Sequence, residues 1–330
     1  MLLVLLAAVG LSPAHLGSGD DVVPRDTVSV VVSITPALPA GVRLDVVGGD
    51  TFLRVRAKGH DVDIPGYGND LYIRIGADGR VEENKSSRTS FLNTSRTGGS
   101  DAKYSAGVAP KWETVSTSGL AMWHDHRIHW MGKGTPPTVE ENGKVQDWTI
   151  TFAVDGTVHT VKGTLFLKDR AGVSWWSLIG ISALVAASLL RGPRRRWLSL
   201  LTWLSALSCM VGFLQWRDLP SGAQITPVMA VLGVFALLVT NAAMAFQVDA
   251  ERKPEKRVRA TFFSSSLAAG GGAILLLSGI LNVDQLRAAY FPMMGPLWLG
   301  RFTVATMIGI GAAAAIDGAF RVMKVQPQTS

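Results

Sequence analysis

The 330-residue sequence predicts a mixed fold: an extracytoplasmic all-β sandwich at residues 15–172, followed by a five-span transmembrane bundle at residues 173–320. Three observations carry that expectation. Polar and apolar residues alternate from Asp20 to Arg170, the period of half-buried strands. From Ser174 onward the apolar residues gather into runs near the roughly 20 residues that a bilayer requires. Charge follows the same division: residues 15–172 hold 18 Lys and Arg against 19 Asp and Glu, while residues 173–330 hold 14 against 6.

Residues 1–14 are expected to be a signal peptide or an N-terminal apolar segment. Met1–Leu11 has the length of a signal-peptide apolar region and is too short to span a bilayer, though it lacks a basic leader. Ser12-Pro13-Ala14 places small residues at −3 and −1 of a cut that would leave His15 as the mature N-terminus. An uncleaved anchor, or a cut farther on that discards His15, are the other readings.

The β-domain is expected from several alternating runs. Val28, Val30 and Val32 form one, and Val42, Leu44 and Val46 another. Phe52, Arg54 and Arg56 alternate with Leu53 and Val55. Trp148, Ile150, Phe152 and Val154 alternate with threonines and an alanine, and an Asp155-Gly156 turn leads into Val161–Leu167. Gly, Asp and Pro interrupt these runs at short intervals, as in sandwiches and barrels. Asn84–Gly107, rich in Ser, Thr, Asn and Gly, reads as a surface excursion.

Five apolar spans follow, at Ser174–Leu190, Trp197–Gln215, Ile225–Phe246, Thr261–Leu281 and Leu299–Phe320, with a tail at residues 321–330. Trp175, Trp176, Trp197, Trp216 and Trp298 fall near span ends, as interfacial belts predict. Small residues four apart (Ser266 and Gly270, Ala269 and Ala273, Gly309 and Ala313, Gly311 and Ala315) suit close helix packing. With the β-domain outside, 11 Lys and Arg lie in cytoplasmic segments against Arg217, Arg287 and Arg301 outside. That bias is the positive-inside pattern, and it predicts a multi-pass plasma-membrane protein in contact with the lipid bilayer. The net charge of +7 therefore reflects membrane topology. A nucleic-acid partner, which would need a basic face on the soluble domain, is not expected. Asp317 is the one ionisable residue well inside a span, close to its cytoplasmic end, so a transporter is the weakest of the functional readings.

The chemistry is concentrated in Met122–Met131, which holds three of the six histidines. If Met122–Ile128 is a strand, His124 and His126 share a face and can offer two imidazoles to one metal. His129 joins them if the chain bends after Arg127, and Asp125 could orient a ring from behind. Imidazole-only sites suit Cu(II) or Zn(II). His15, which would bind through its amine and its ring, and His159 are further candidate ligands. Met122, Met131, Met293 and Met294 could offer thioethers to Cu(I), and His60 reads as a turn residue. The opposing reading is that the Trp/His rim only stacks, or contacts a partner. The single cysteine, Cys209, lies in a span, so the β-domain can hold neither a disulfide nor a blue-copper thiolate. Neither G-x-S-x-G, H-E-x-x-H, a P-loop nor a complete G-x-G-x-x-G occurs, and no enzyme activity is expected.

Gly66-Tyr67, Leu71-Tyr72-Ile73-Arg74, Asp78-Gly79, Val81, Asn84, Ser87, Leu92-Asn93, Arg96 and the W-H-D-H-R-x-H-W-M run at Trp123–Met131 together resemble a family of uncharacterised actinobacterial envelope proteins. Asn69-Asp70 stands where members of that family often have Glu-Pro. A looser similarity is to CopC-type periplasmic copper proteins joined to CopD-type membrane domains. It rests on His15, a small β-sandwich and the late Asp155-Gly156…Val161-Lys162-Gly163 pattern. The histidine segment itself is not the CopC copper motif. The leading expectation is extracytoplasmic copper handling through His124 and His126 with His129 or His15. The alternative is a structural or assembly factor that docks another envelope protein.

Overall fold

The computed structural model describes residues 14–16, 25–93, 100, 104–132, 135–190, 192–218 and 227–325, with backbone alone at 14–16 and 325. The expected leader at residues 1–13, Arg96, Arg191, the start of the third expected span and the end of the tail lie outside the described residues. The chain forms two compact units. One comprises Met1–Asp169 with Asp218–Ile225 and Ala289–Pro292; the other comprises Arg170–Arg217, Thr226–Ala288 and Met293–Ser330.

The first unit contains two sheets. In the four-stranded sheet the order is β1 (Ala14–Leu16), β9 (Leu120–His124), β4 (Phe52–Arg56), β3 (Arg43–Val47). The seven-stranded sheet runs β2 (Thr27–Thr35), β11 (Thr157–Leu167), β10 (Lys144–Val154), β5 (Val62–Pro65), β6 (Leu71–Ile75), β7 (Val81–Asn84), β8 (Trp112–Ser116). All pairings are antiparallel except that of β1 with β9. One hydrophobic core draws on both sheets: Leu44, Leu53, Val55, Ala121 and Trp123 from the first; Ile64, Ile73, Ile150, Phe152 and Val161 from the second. The hairpin between β10 and β11 turns at Asp155 and Gly156, whose φ angles of 49° and 78° suit an Asp-Gly turn. Trp148 lies opposite Gly163 in that hairpin, where a Cβ would meet its indole at 2.0 Å. Its Nε1–H donates to Ser29 Oγ at 2.6 Å.

Two sequence expectations are corrected in this unit. Val30 and Val32 are 44% and 67% exposed, and β2 instead turns Thr27 and Ser29 inward and packs Val31 and Ile34 on the core. A register shift between Lys162 and Gly163 of β11 explains the change of phase along β2. Valines occupy both faces of this strand, so alternation alone could not choose the inward one. The excursion beginning at Asn84 is also not simply surface. It contains α1 (Arg88–Leu92), capped by Ser87, and Asn84, Ser87, Thr89 and Asn93 are buried. Their polar groups are satisfied there: Asn84 Nδ2 donates to the Leu71 carbonyl at 2.7 Å, and Ser87 and Thr89 donate to Asp70.

The second unit is helical: α2 (Ser174–Leu189), α3 (Arg194–Asp218), α4 (Val228–Arg252), α5 (Arg257–Leu281) and α6 (Leu297–Val325). Single 3₁₀ turns, Pro254–Lys256 and Val283–Leu286, precede and follow α5. Among the described residues, four helical segments are long and apolar enough to cross a membrane: Arg194–Asp218, Val228–Arg252, Pro254–Leu281 and Leu297–Lys324. The 16 residues of α2 are also apolar but shorter, about 24 Å at 1.5 Å per residue. Glycines let backbones touch. A Cβ on Gly212 of α3 would meet Ala230 of α4, and one on Gly309 of α6 would meet Ser182 of α2. Trp197, near the start of α3, is 1% exposed and packs inside the helical unit. Asp317 accepts from Arg194 at 2.6 Å and from Arg321 at 2.9 Å.

Candidate metal centre

Strand β9 ends at His124, so the histidine segment is not the regular strand assumed from alternation. The next residues turn tightly, with the Ile128 N–H donating to the Asp125 carbonyl at 3.2 Å. That turn brings His129 back against His124. Each of His124, His126 and His129 offers one ligating nitrogen, and these atoms lie within 4.8 Å of one another. His124 Nε2 and His129 Nε2 are 2.8 Å apart. The ring of His126 meets those of His124 and His129 edge-on, with centroids at 5.1 and 5.5 Å. His124 and His129 are buried and His126 is half-buried, so the cluster is enclosed on most sides.

Hydrogen bonding assigns the ring nitrogens. His129 Nδ1 lies 3.0 Å from the Trp130 carbonyl, which can only accept. In the neutral ring this puts the proton on Nδ1 and leaves Nε2 with its lone pair facing His124. A histidine that ligates a metal characteristically donates its other N–H to a carbonyl or carboxylate in this way.

Asp125 does not orient a histidine. Its carboxylate is buried and accepts from Trp123 Nε1 at 3.0 Å, from the Arg127 amide at 3.1 Å, and from Arg127 Nε and Nη2 at 2.9 and 2.7 Å. This bidentate pair neutralises a buried charge and pins the turn that carries the histidines.

Behind the cluster lies a group that sequence spacing could not connect. The Tyr67 ring stacks on His126, with centroids 5.6 Å apart and 16° between the planes. Its hydroxyl oxygen accepts the His126 amide N–H at 3.0 Å and donates to Asn93 Oδ1. Asn93 Nδ2 in turn donates to Tyr72 Oη at 3.1 Å. The Arg127 guanidinium lies over the Tyr67 ring, 5.1 Å from its centroid. Burial drives the Tyr67 hydroxyl well above the ordinary phenol range, with the Asp125 charge adding to the effect. Asp70 is held below the usual carboxylate range: burial opposes this, but the hydrogen bonds from Ser87 and Thr89 prevail. Tyr67, Asn93 and Tyr72 thus form one hydrogen-bonded chain behind His126.

The other sequence candidates stand apart from the cluster or outside the described side chains. The backbone of His15 pairs with Met122, two residues before His124, but its side chain is not among those described. His159 is a core residue: Nδ1 donates to the Pro36 carbonyl at 2.8 Å and the ring stacks on Phe152. Met122 is buried against Phe52, and Met131 is exposed. His60 bonds to Asp155 and the Ala40 carbonyl. No family model, curated protein or solved structure matches this chain.

Proposed function

We propose that this is a membrane-anchored, extracytoplasmic metal-handling protein that binds Cu(II) through His124, His126 and His129. The carrying observation is the convergence of three imidazoles within 4.8 Å, with the outward nitrogen of His129 bonded to a carbonyl. An imidazole-only donor set suits Cu(II), and the His124 and His129 nitrogens, 2.8 Å apart and hydrogen-bonded to each other, are already close enough to share one ion. His15 is a further ligand in this reading if processing leaves it at the amino terminus.

The two sheets are read as a sandwich around their shared core, and the helical unit as five spans. In this reading α3, about 37 Å long, crosses the bilayer, and α2 crosses before it, so that the basic residues at the start of α3 lie on the side away from the β-domain. The assembly-factor alternative retains less surface than the sequence suggested, because Trp123, His124 and His129 are buried.

The test is a Cu(II) titration of the full-length protein in detergent, followed by EPR, beside His124→Ala/His126→Ala and beside Zn(II). One tight equivalent with nitrogen hyperfine structure, lost in the double variant, is expected. Binding that never saturates, or that ignores the substitutions, would sink the metal reading in favour of a docking surface.

A further inference from the structure

We infer that Tyr67 is the positioning residue of the metal centre, holding His126 in place to act as its third ligand. The inference rests on the metal reading above. Of the three histidines, His126 is the least enclosed: His124 and His129 are buried, while His126 is half-buried on the turn after β9. An imidazole there has rotamer freedom that a metal site must remove before it can count as a ligand.

Tyr67 removes it twice. The near-parallel stack, 16° between planes, fixes the plane of the His126 ring. The 3.0 Å hydrogen bond from the His126 amide to Tyr67 Oη fixes the backbone from which that ring hangs. Both contacts come from one side chain 59 residues away in sequence.

That side chain is itself held from behind. Its hydroxyl donates to Asn93 Oδ1, and Asn93 Nδ2 donates to Tyr72 Oη, which lies in the core at 1% exposure. The backbone of Tyr67 is anchored too, its N–H donating to Thr89 Oγ1 at 2.9 Å. The chain of bonds thus runs from the folded core of β6 through α1 and Asn93 to the ring that orients His126. Tyr67 is not a ligand in this arrangement. Its oxygen already accepts one hydrogen bond and donates another, and coordination would require it to give up both.

The experiment compares Cu(II) affinity and EPR spectra of the full-length wild type, Tyr67→Phe and Tyr67→Leu. Trp148→Phe, which removes the hydrogen bond to Ser29 and leaves the Tyr67–Asn93–Tyr72 bonds intact, serves as a core substitution for comparison. Tyr67→Phe keeps the stacked ring and the packing but loses the hydroxyl; it should fold normally and bind about tenfold more weakly. Tyr67→Leu also loses the stack, and its spectrum should show one coordinated nitrogen fewer. Trp148→Phe should lower thermal stability and leave the spectrum unchanged. Wild-type affinity in Tyr67→Phe, measured on folded protein, overturns the positioning role while leaving the metal centre standing. A wild type that binds no copper overturns both.

Discussion

At His60 both ring nitrogens face acceptors: Nδ1 lies 2.7 Å from Asp155 Oδ2 and Nε2 lies 2.9 Å from the Ala40 carbonyl. Only the imidazolium can donate to both. The Asp155 hydrogen bond, and after it the Ala40 carbonyl, accordingly raise the His60 pKa above its ordinary value near 6.5. Asp155 is lowered, by His60 first and then by the Asp61 amide. The His60 contribution to stability is full below about pH 6.5 and disappears as pH rises through the raised value. The Asp155 contribution is present above the ordinary carboxylate range and is lost as pH falls through the lowered value. Asp155→Asn is a clean test, because Asn tolerates the φ of 49° that the hairpin turn demands. The His60 pKa measured by NMR should fall toward 6.5 in the variant, and an identical titration in both proteins would refute the pairing. Sequence reading saw His60 as a turn residue because its partner lies 95 positions away. Tyr67 and Asn93 escaped a role for the same reason. The three imidazoles were legible because they fall within six positions, and their convergence still required a turn that alternation does not reveal.

Among the elements, α5 and α6 show how packing selects from several similar-looking stripes of small residues. Spacing four apart singled out Ser266 and Gly270, yet Gly270 faces little more than Val239 at 3.9 Å. Ala269, Gly311 and Ala315 of the other expected pairs do lie at close contacts, with Gly272 and Gly318 beside them. A Cβ on Gly272 would meet Ala314 at 2.6 Å, one on Gly311 would meet the Leu276 amide at 2.7 Å, and one on Gly318 would meet the Ala269 amide at 2.7 Å. Glycine, alanine and serine occur on several faces of these helices, so composition foretold close packing and only the partner helix chose the face. Gly311→Leu should therefore force the two backbones apart and cost at least about 1–3 kcal/mol, the usual range for overpacking. Gly180→Leu on α2, where a Cβ meets nothing within 4 Å, is the matched control. Thermal unfolding in detergent should separate the two variants by several degrees, and equal melting would contradict the observed interface. The strands were more legible than the helix faces wherever one face alone is apolar. Leu53, Val55, Ile150 and Phe152 are buried as their alternation predicts, whereas β2, with valines on both faces, was misjudged.

For the molecule as a whole, the consequential quantity is the number of crossings, because it decides which side of the membrane each loop occupies. Basic residues gather at Arg194–Arg196, at Arg252–Arg259 and at Arg321 and Lys324. These three segments share a side whenever the four longer helices cross, and that side is opposite the β-domain only if α2 crosses as well. An anchor whose α2 stopped short would put the same residues beside the β-domain, against the positive-inside bias. A helix of 16 residues can still cross by local thinning of a bilayer roughly 30 Å thick, and its neighbour α6 packs on it at Gly309. Cysteine labelling decides the matter, since the chain has only Cys209 to remove. In a Cys209→Ser background, Lys111→Cys on the β-domain should react with a membrane-impermeant maleimide in intact cells. Lys256→Cys and Lys324→Cys should react only after the membrane is opened. Labelling of Lys256→Cys and Lys324→Cys from outside, at the rate seen for Lys111→Cys, would instead mean that α2 does not cross. The basic loops would then share a compartment with the histidine cluster.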